Sequence, residues 1–311
     1  MPRILIKTTD ITREEWLKYR RTGLGGSDAA VVCGLSPYKS KIELWADKTG
    51  RLPDSADNEA MRVGRDLEDY VAKRFCEATG KKVRRRNAIF RHDEYDYITA
   101  NVDREIVGEN AGLECKTTSA FAKSDFENGE IPLYYYCQCC HYMNVMGYDR
   151  MYLAVLVMGR AFYRFTIERD EAECSALLSS EKAFWNEFIV PDIRPEPDGS
   201  DSAGRTLKAL FPDWKENAIT IFEQNDIAAE LAAVQAEMKQ LEGKEKKLKQ
   251  QLQLALGGNT DGLTVDWHIS YRPQSRTTVD SKKLKAEYPG IYSECLKTTE
   301  TRIFKISERK D

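Results

Sequence analysis

Asp103 is followed eleven residues later by Glu114 and, two beyond that, by Lys116, across a Gly- and Asn-rich stretch at 108–112. Both flanks read as strands, and a chain folding back around Gly108 and Glu109 sets Asp103 opposite Glu114. Strand side chains alternate in direction, so Glu114 and Lys116 share a face while Cys115 points away. Two carboxylates and an ammonium then converge on one spot. Carboxylate oxygens suit Mg²⁺ or Mn²⁺, which bridge readily to phosphate. The backbone carbonyl of Cys115 is a further oxygen within reach, and Lys116 can orient or help deprotonate an attacking water. The chemistry indicated is metal-assisted hydrolysis of a phosphodiester. The same residue types on an exposed hairpin would be merely solvated, so the surrounding elements decide between the two readings.

Three of those elements carry polar groups in telling places. Over residues 61–76, Val63, Leu67, Val71 and Phe75 recur every four residues, which predicts an amphipathic helix closed by Gly80. Glu68 sits beside that stripe, as a surface acid or as a group pointing into a cleft. Residues 21–30 form a glycine-rich turn running into a helix start, where Ser27 or Asp28 can cap. Its free amides, with Arg21 nearby, would accept a phosphate or serve as a bare helix cap. No Walker lysine is present, so nucleoside triphosphate binding is not implied. Residues 134–147 read as an apolar helix with one conspicuous amide, Gln138, which must find partners or line a wet cleft. Residues 151–157 and 161–167 read as paired strands.

These stretches, RTGLGGSDAAVV, NEAMRVGRDLEDYVAKRF, ANVDREI, GLECKTT and YYYCQCCHYMNVMG, follow one another in an order that resembles the YqaJ-type viral recombinase nucleases. These are relatives of lambda exonuclease in the PD-(D/E)XK superfamily, and the resemblance covers about residues 14–190. It implies an α+β fold: an α/β/α restriction-endonuclease-like core whose mixed sheet is flanked by helices. It also implies roles. Glu68 matches the helical glutamate of the metal site, Asp103 the central metal-binding aspartate, and Glu114 with Lys116 the E-x-K pair. Gln138 matches the glutamine beside the catalytic lysine, and Arg21 and Ser27 match the holders of the terminal 5′-phosphate. Val102 stands where the family often has proline, a residue without a metal-binding group. The implied activity is a Mg²⁺-dependent (or Mn²⁺-dependent) exonuclease using two ions per site. It would digest linear duplex DNA 5′-to-3′ from a phosphorylated end and leave 3′ overhangs for a phage single-strand annealing protein. A ring-shaped homotrimer and a cytoplasmic setting in a bacterial host are further expectations of the resemblance.

Composition permits this without selecting it. The 311 residues carry a net charge of −3, 41% hydrophobic and 31% charged residues, so there is no global attraction to DNA. Binding would rest on local patches such as residues 81–86, Lys39 and Lys41. No signal peptide and no apolar run of membrane-spanning length is read. Eight cysteines sit mostly inside helix or strand patterns, as in reduced cytosolic proteins. Cys137, Cys140 and His141 would share one helix face, but no second ligand pair follows at zinc-site spacing, so buried packing is the better account.

The expected organisation is a nuclease core over 1–195, a loop over 196–225, a coiled-coil-like helix over 226–258 and a small β-α-β extension over 259–311. Apolar residues from Ile227 to Ala255 keep 3–4 spacing, broken by Glu245, with Gly243 a weak point. That stripe packs on its own domain or on another copy. In the extension, 263–271 reads as a strand, 280–288 as a helix capped by Asp280, and 301–306 as a last strand. Arg272, Arg276, Lys282, Lys283 and Lys285 offer contacts to DNA or a partner. Two rival functions share the site residues or the fold: an endonuclease of the same superfamily, and a catalytically silent DNA-end-binding adaptor.

Overall fold

The computed structural model describes residues 2–54, 57–126 and 128–309. The chain divides into two compact units, Met1–Lys215 and Glu216–Asp311. The first opens with β1 (Arg3–Lys7), α1 (Arg13–Arg21), α2 (Gly26–Val32) and α3 (Lys41–Lys48). Thr12 and Glu15 start α1 with a reciprocal capping box, each side chain accepting from the other's backbone N–H. α4 (Glu59–Thr79) starts where the Asn58 side chain accepts from the Met61 N–H and stops at Gly80, whose φ of 71° only glycine adopts readily. Then come β2 (Val83–Arg84), β3 (Ala88–Arg91), β4 (Thr99–Ala100), β5 (Arg104–Ile106), β6 (Ala111–Thr118), α5 (Leu133–Met146), β7 (Arg150–Val157), β8 (Ala161–Glu168), α6 (Glu171–Phe184) and α7 (Asp201–Leu210).

The main sheet has the order β2-β5-β6-β7-β8. Only β6 and β7 run parallel, joined by the α5 crossover, and the other pairs are antiparallel. This is the mixed, helix-flanked sheet of the expected α+β class. Strand alternation sorts its two faces. Leu113, Tyr152 and Ala154 pack with Val71, Ala72 and Phe75 of α4, while Leu153 and Val155 pack with Met143 and Val145 of α5. Glu114 pairs with Leu153 and Lys116 with Val155. Both site residues therefore emerge on the α5 face. A second antiparallel sheet, β1-β3-β4, leads the chain from the N-terminus to the site.

The stretch expected to be a connecting loop contains α7. Ser200 caps it by accepting from the Ala203 N–H, and Ala203, Leu207 and Leu210 pack with Ile42 and Trp45 of α3. The rest of 196–224 holds no helix or strand, so the loop expectation misses only this amphipathic run and its serine cap.

The second unit contains α8 (Asn225–Leu256), β9 (Asp261–Leu263), β10 (His268–Ser270), α9 (Ser281–Glu287) and α10 (Pro289–Glu294). α8 runs unbroken through Gly243. Residues 263–271 are not one strand: Thr264 and Trp267 close a turn, and β9 and β10 pair as a hairpin. Asp280 caps α9 as expected. Residues 301–306 form no strand, having no partner edge among the described residues. Among the described residues no helix is long and apolar enough to cross a membrane.

Candidate active site

Register assembles the centre. Arg104 pairs with Leu113 and Glu105 with Gly112, so the next step places Asp103 opposite Glu114. The Cys115 N–H donates to Asp103 Oδ2 at 2.8 Å, fixing the aspartate to β6 just ahead of β5. In an extended strand the N–H and C=O of one residue point to the same side, so the Cys115 carbonyl faces Asp103. Lys116 Nζ lies 2.6 Å from Glu114 Oε1. Gln138 of α5 donates to the same oxygen at 2.6 Å and to Tyr142 Oη at 3.0 Å. Glu114 Oε2 is buried with no hydrogen-bond partner.

The electrostatics follow from crowding. Burial, then Glu114, then Glu68, push the Asp103 carboxyl well above its usual range. Burial alone would lower Lys116, but Glu114 and Asp103 outweigh it and hold the ammonium above the ordinary lysine range. Lys116 is therefore a firmly held cation, suited to orienting and charge balance.

The donors fit a hard divalent cation: Asp103, Glu114, Glu68 and the Cys115 carbonyl offer only oxygen, and Glu114 Oε2 is unpartnered. Among the described residues no three His, Cys, Asp or Glu side chains are already gathered as a metal cage. Each glutamate is drawn to a cation of the protein. Glu68 Oε1 pairs with Arg104 Nη1 at 2.5 Å, and Glu114 pairs with Lys116.

Arg104 went unnoticed in the sequence. It is buried, donates to the Asp103 carbonyl at 2.6 Å and also pairs with Asp69 at 2.5 Å. It thereby ties α4 to the start of β5. Its position directly after the aspartate was the available signal, because a strand residue following Asp103 must face α4.

The anchor residues divide. A cleft of about 460 Å³ is lined by Trp16, Arg20, Ser27, Glu68, Asp103 and Glu114 among others. Arg21 is not there. It pairs with Asp54 at 3.0 Å and Asp47 at 3.5 Å, and donates to the Leu52 carbonyl. Its neighbour Arg20 takes the cleft position, donating to Ser27 Oγ at 2.7 Å. Helical phase explains the shift: Arg13, Trp16 and Arg20, at i, i+3 and i+7, share a face, and Arg21 is turned 100° away. Neither Ser27 nor Asp28 is the N-cap of α2. Gly25 takes that place, and the Asp28 carboxylate reaches back to its N–H at 3.0 Å.

Asp28 does more. Lys48 Nζ lies 2.7 Å from it, both side chains buried, and donates to the Arg20 carbonyl at 2.8 Å. Burial raises Asp28, but Lys48, Lys39 and Arg20 outweigh it and hold the carboxyl well below the usual range. Gly26 lets α2 approach α5: a Cβ there would stand 2.6 Å from the Tyr142 ring and 3.0 Å from Gln138 Cγ.

His141, expected to be a packing residue, is buried between two polar partners. Its Nδ1 lies 2.6 Å from Glu181 Oε1 and its Nε2 2.7 Å from the Thr99 carbonyl. The Thr99 carbonyl only accepts, so Nε2 carries a proton, and the Glu181 carboxylate beside Nδ1 favours the imidazolium. Burial would lower its pKa, but Glu181 outweighs burial and raises it. The neighbouring Cys137, Cys139 and Cys140 are buried free thiols.

Comparison with known proteins agrees with this architecture. Residues 15–149 match the YqaJ-like viral recombinase domain. The uncharacterized protein YqaJ of Bacillus subtilis (strain 168) is 39% identical over 310 residues, covering 98% of this chain and 97% of that protein. Among solved structures, LHK-Exo in complex with dAMP aligns with a TM-score of 0.50 at 20% identity, over 57% of this chain and 93% of that one. Another structure of that protein, an alkaline exonuclease from Laribacter hongkongensis, aligns over the same shares with a TM-score of 0.49. The structural likeness is one of fold, while the sequence match spans nearly the whole chain, and on that match the chain belongs to the YqaJ-like viral recombinase family.

Proposed function

We propose that the protein is a Mg²⁺-dependent (or Mn²⁺-dependent) exonuclease that digests linear duplex DNA from a 5′-phosphorylated end. The observation that carries this reading is the convergence of Glu68, Asp103 and Glu114 in one cleft with the Arg20–Ser27 pair, with Lys116 held against Glu114 at 2.6 Å. Asp103, Glu114, Glu68 and the Cys115 carbonyl would hold the cation. When bound, the cation lowers the pKa of an attacking water and offsets charge growing on the phosphate oxygens. Lys116 holds its proton and orients that water from beside Glu114. Gln138 fixes Glu114 through Oε1 and leaves Oε2 for the cation. Arg20, in place of Arg21, and Ser27 would grip a terminal phosphate with charge-assisted hydrogen bonds. An end anchor in the same cleft as the hydrolytic group favours stepwise release of mononucleotides. The 3′ overhang left behind is the substrate that a single-strand annealing protein uses in recombination.

The test uses a 5′-phosphorylated linear duplex, its 5′-hydroxyl counterpart and a closed circle, each with Mg²⁺ or EDTA. Mononucleotides should appear from the phosphorylated duplex with Mg²⁺ alone. Cutting of the circle would replace the exonuclease with an endonuclease, and hydrolysis in EDTA would remove the cation. With Arg20→Ala the preference for the phosphorylated end should fall about tenfold, the scale of one lost charge-assisted bond. Unchanged discrimination would remove the anchor.

A further inference from the structure

α8 carries an apolar seam that the described residues of its own unit leave uncovered. Ile227, Val234, Met238, Leu241, Leu248 and Leu252 are each between 42% and 60% exposed. Their 3–4 spacing places Leu231, Met238, Glu245 and Leu252 at heptad position a, and Ile227, Val234, Leu241, Leu248 and Ala255 at position d. A seam sustained over four heptads is long enough for a two-stranded coiled coil.

The charges beside the seam select the partner and its direction. The flanking e and g positions are acidic in the first half, with Glu230, Glu237 and Glu242, and basic in the second, with Lys244 and Lys249. In a parallel, in-register pair, Glu237 would face Glu242 of the other helix, Lys244 would face Lys249, and Glu245 would meet its own copy inside the seam. All three contacts repel. Turning one helix around removes all three. In the antiparallel register that overlaps the whole seam, Leu231 layers with Leu248, Met238 with Leu241, Ile227 with Leu252 and Val234 with Glu245. Glu237 then faces Lys244 of the other helix twice, once on each side of the two-fold axis. Glu245 already pairs with Lys249 on its own helix at 2.5 Å and needs no ionic partner across the seam. The acidic-then-basic order matches a reversed copy of itself, which is the self-complementarity that a two-fold interface requires.

We propose that α8 is a homodimerisation element that pairs antiparallel with α8 of a second copy of this chain, in register through Glu237 and Lys244.

Sedimentation equilibrium of the full chain at micromolar concentration tests this. The native protein should be a dimer. Glu237→Lys should raise the dissociation constant at least about tenfold, since two attractive contacts become repulsive. Lys244→Glu should do the same, and the double exchange of both residues should return the native value. Leu241→Asp should give a monomer of unchanged melting temperature. A monomeric native chain overturns the proposal, as does a trimer whose mass none of these variants alters. Tighter association of Glu237→Lys would establish the parallel arrangement instead. If Leu241→Asp lowers the melting temperature and leaves the mass alone, the seam is covered by its own chain and the proposal is wrong. Far-UV circular dichroism confirms that each variant keeps its helix.

Discussion

The two units of this chain distribute charge and apolar surface in opposite ways. Among the described residues every buried polar side chain lies in the first unit, including Asp28, Arg104, Glu114, Gln138, His141 and Glu181. In the second, Leu256 alone is buried, while Val265 is 99% exposed, Leu254 84% and Leu263 82%. Burying charge is costly unless partners are fixed in place, so the first unit devotes its interior to holding ions at set positions. Exposing apolar surface is costly unless something covers it, so the second unit lacks a core of its own size. One unit has its stability and its chemistry in the same residues. The other leaves large apolar side chains in water along its helix and hairpin.

The sharpest way to break this contrast is to remove a charge at the centre of the first unit. Asp103→Asn should lower Mg²⁺-dependent hydrolysis at least about 10³-fold, because a cation would lose its central ligand. The same change should leave the melting temperature equal or higher, because it relieves the repulsion that raises the Asp103 carboxyl. Kinetics and a thermal melt on one preparation check both halves. Loss of activity together with loss of folding would make Asp103 a structural residue.

Next in size is the buried pair behind the anchor. Asp28→Asn strands the Lys48 ammonium beside the Arg20 carbonyl and should cost about 3 kcal/mol by urea unfolding, the usual penalty for an uncompensated buried charge. An exposed pair of the second unit such as Asp261 and Arg272 should cost much less when broken, since surface ion pairs add little. Equal costs at the two sites would erase the contrast.

Legibility in the sequence follows the same division. Asp103, Glu114 and Lys116 could be read because strand alternation and a short turn fix their relation locally. Gln138 could be read because an amide stands out in an apolar helix, and Glu68 because it borders a clear stripe. Arg20 was missed by one position: a glycine-rich turn says that a nearby arginine faces it, but the phase of α1 decides which. The partners of Arg104 and His141 were opaque for another reason, although strand alternation gave the side that Arg104 faces. Glu68 at 36 residues' distance and Glu181 at 40 are brought in by packing rather than spacing. In the second unit α8 was plain from its period, whereas 263–271 was misread because alternation continues across the turn that splits it into β9 and β10.

His141 offers a pH test of the buried charge. Its folded pKa is raised, so its contribution is complete below the unfolded value of about 6.5 and is lost as pH rises through the folded value. Stability of the native chain should therefore fall on the alkaline side of that range, by up to about 1.4 kcal/mol per pH unit. His141→Gln should start less stable and lose this slope. Parallel curves for the two proteins, from melting temperatures at closely spaced pH values, would mean that the ring is neutral and that the Glu181 contact is an ordinary hydrogen bond.

The smallest effect is expected where the contrast is most extreme. Val265 sits in the turn between β9 and β10, almost fully exposed, with Trp267 beside it at 74%. Removing an apolar side chain that is already in water forfeits no burial, so Val265→Ser should change unfolding free energy by less than about 0.5 kcal/mol. An equal truncation at Val71, fully buried under the sheet, should cost about 1–3 kcal/mol. The comparison is informative because the residue type is the same and only its surroundings differ. If Val265→Ser costs as much as Val71→Ser, the hairpin tip is covered in solution, and the second unit has an interior after all.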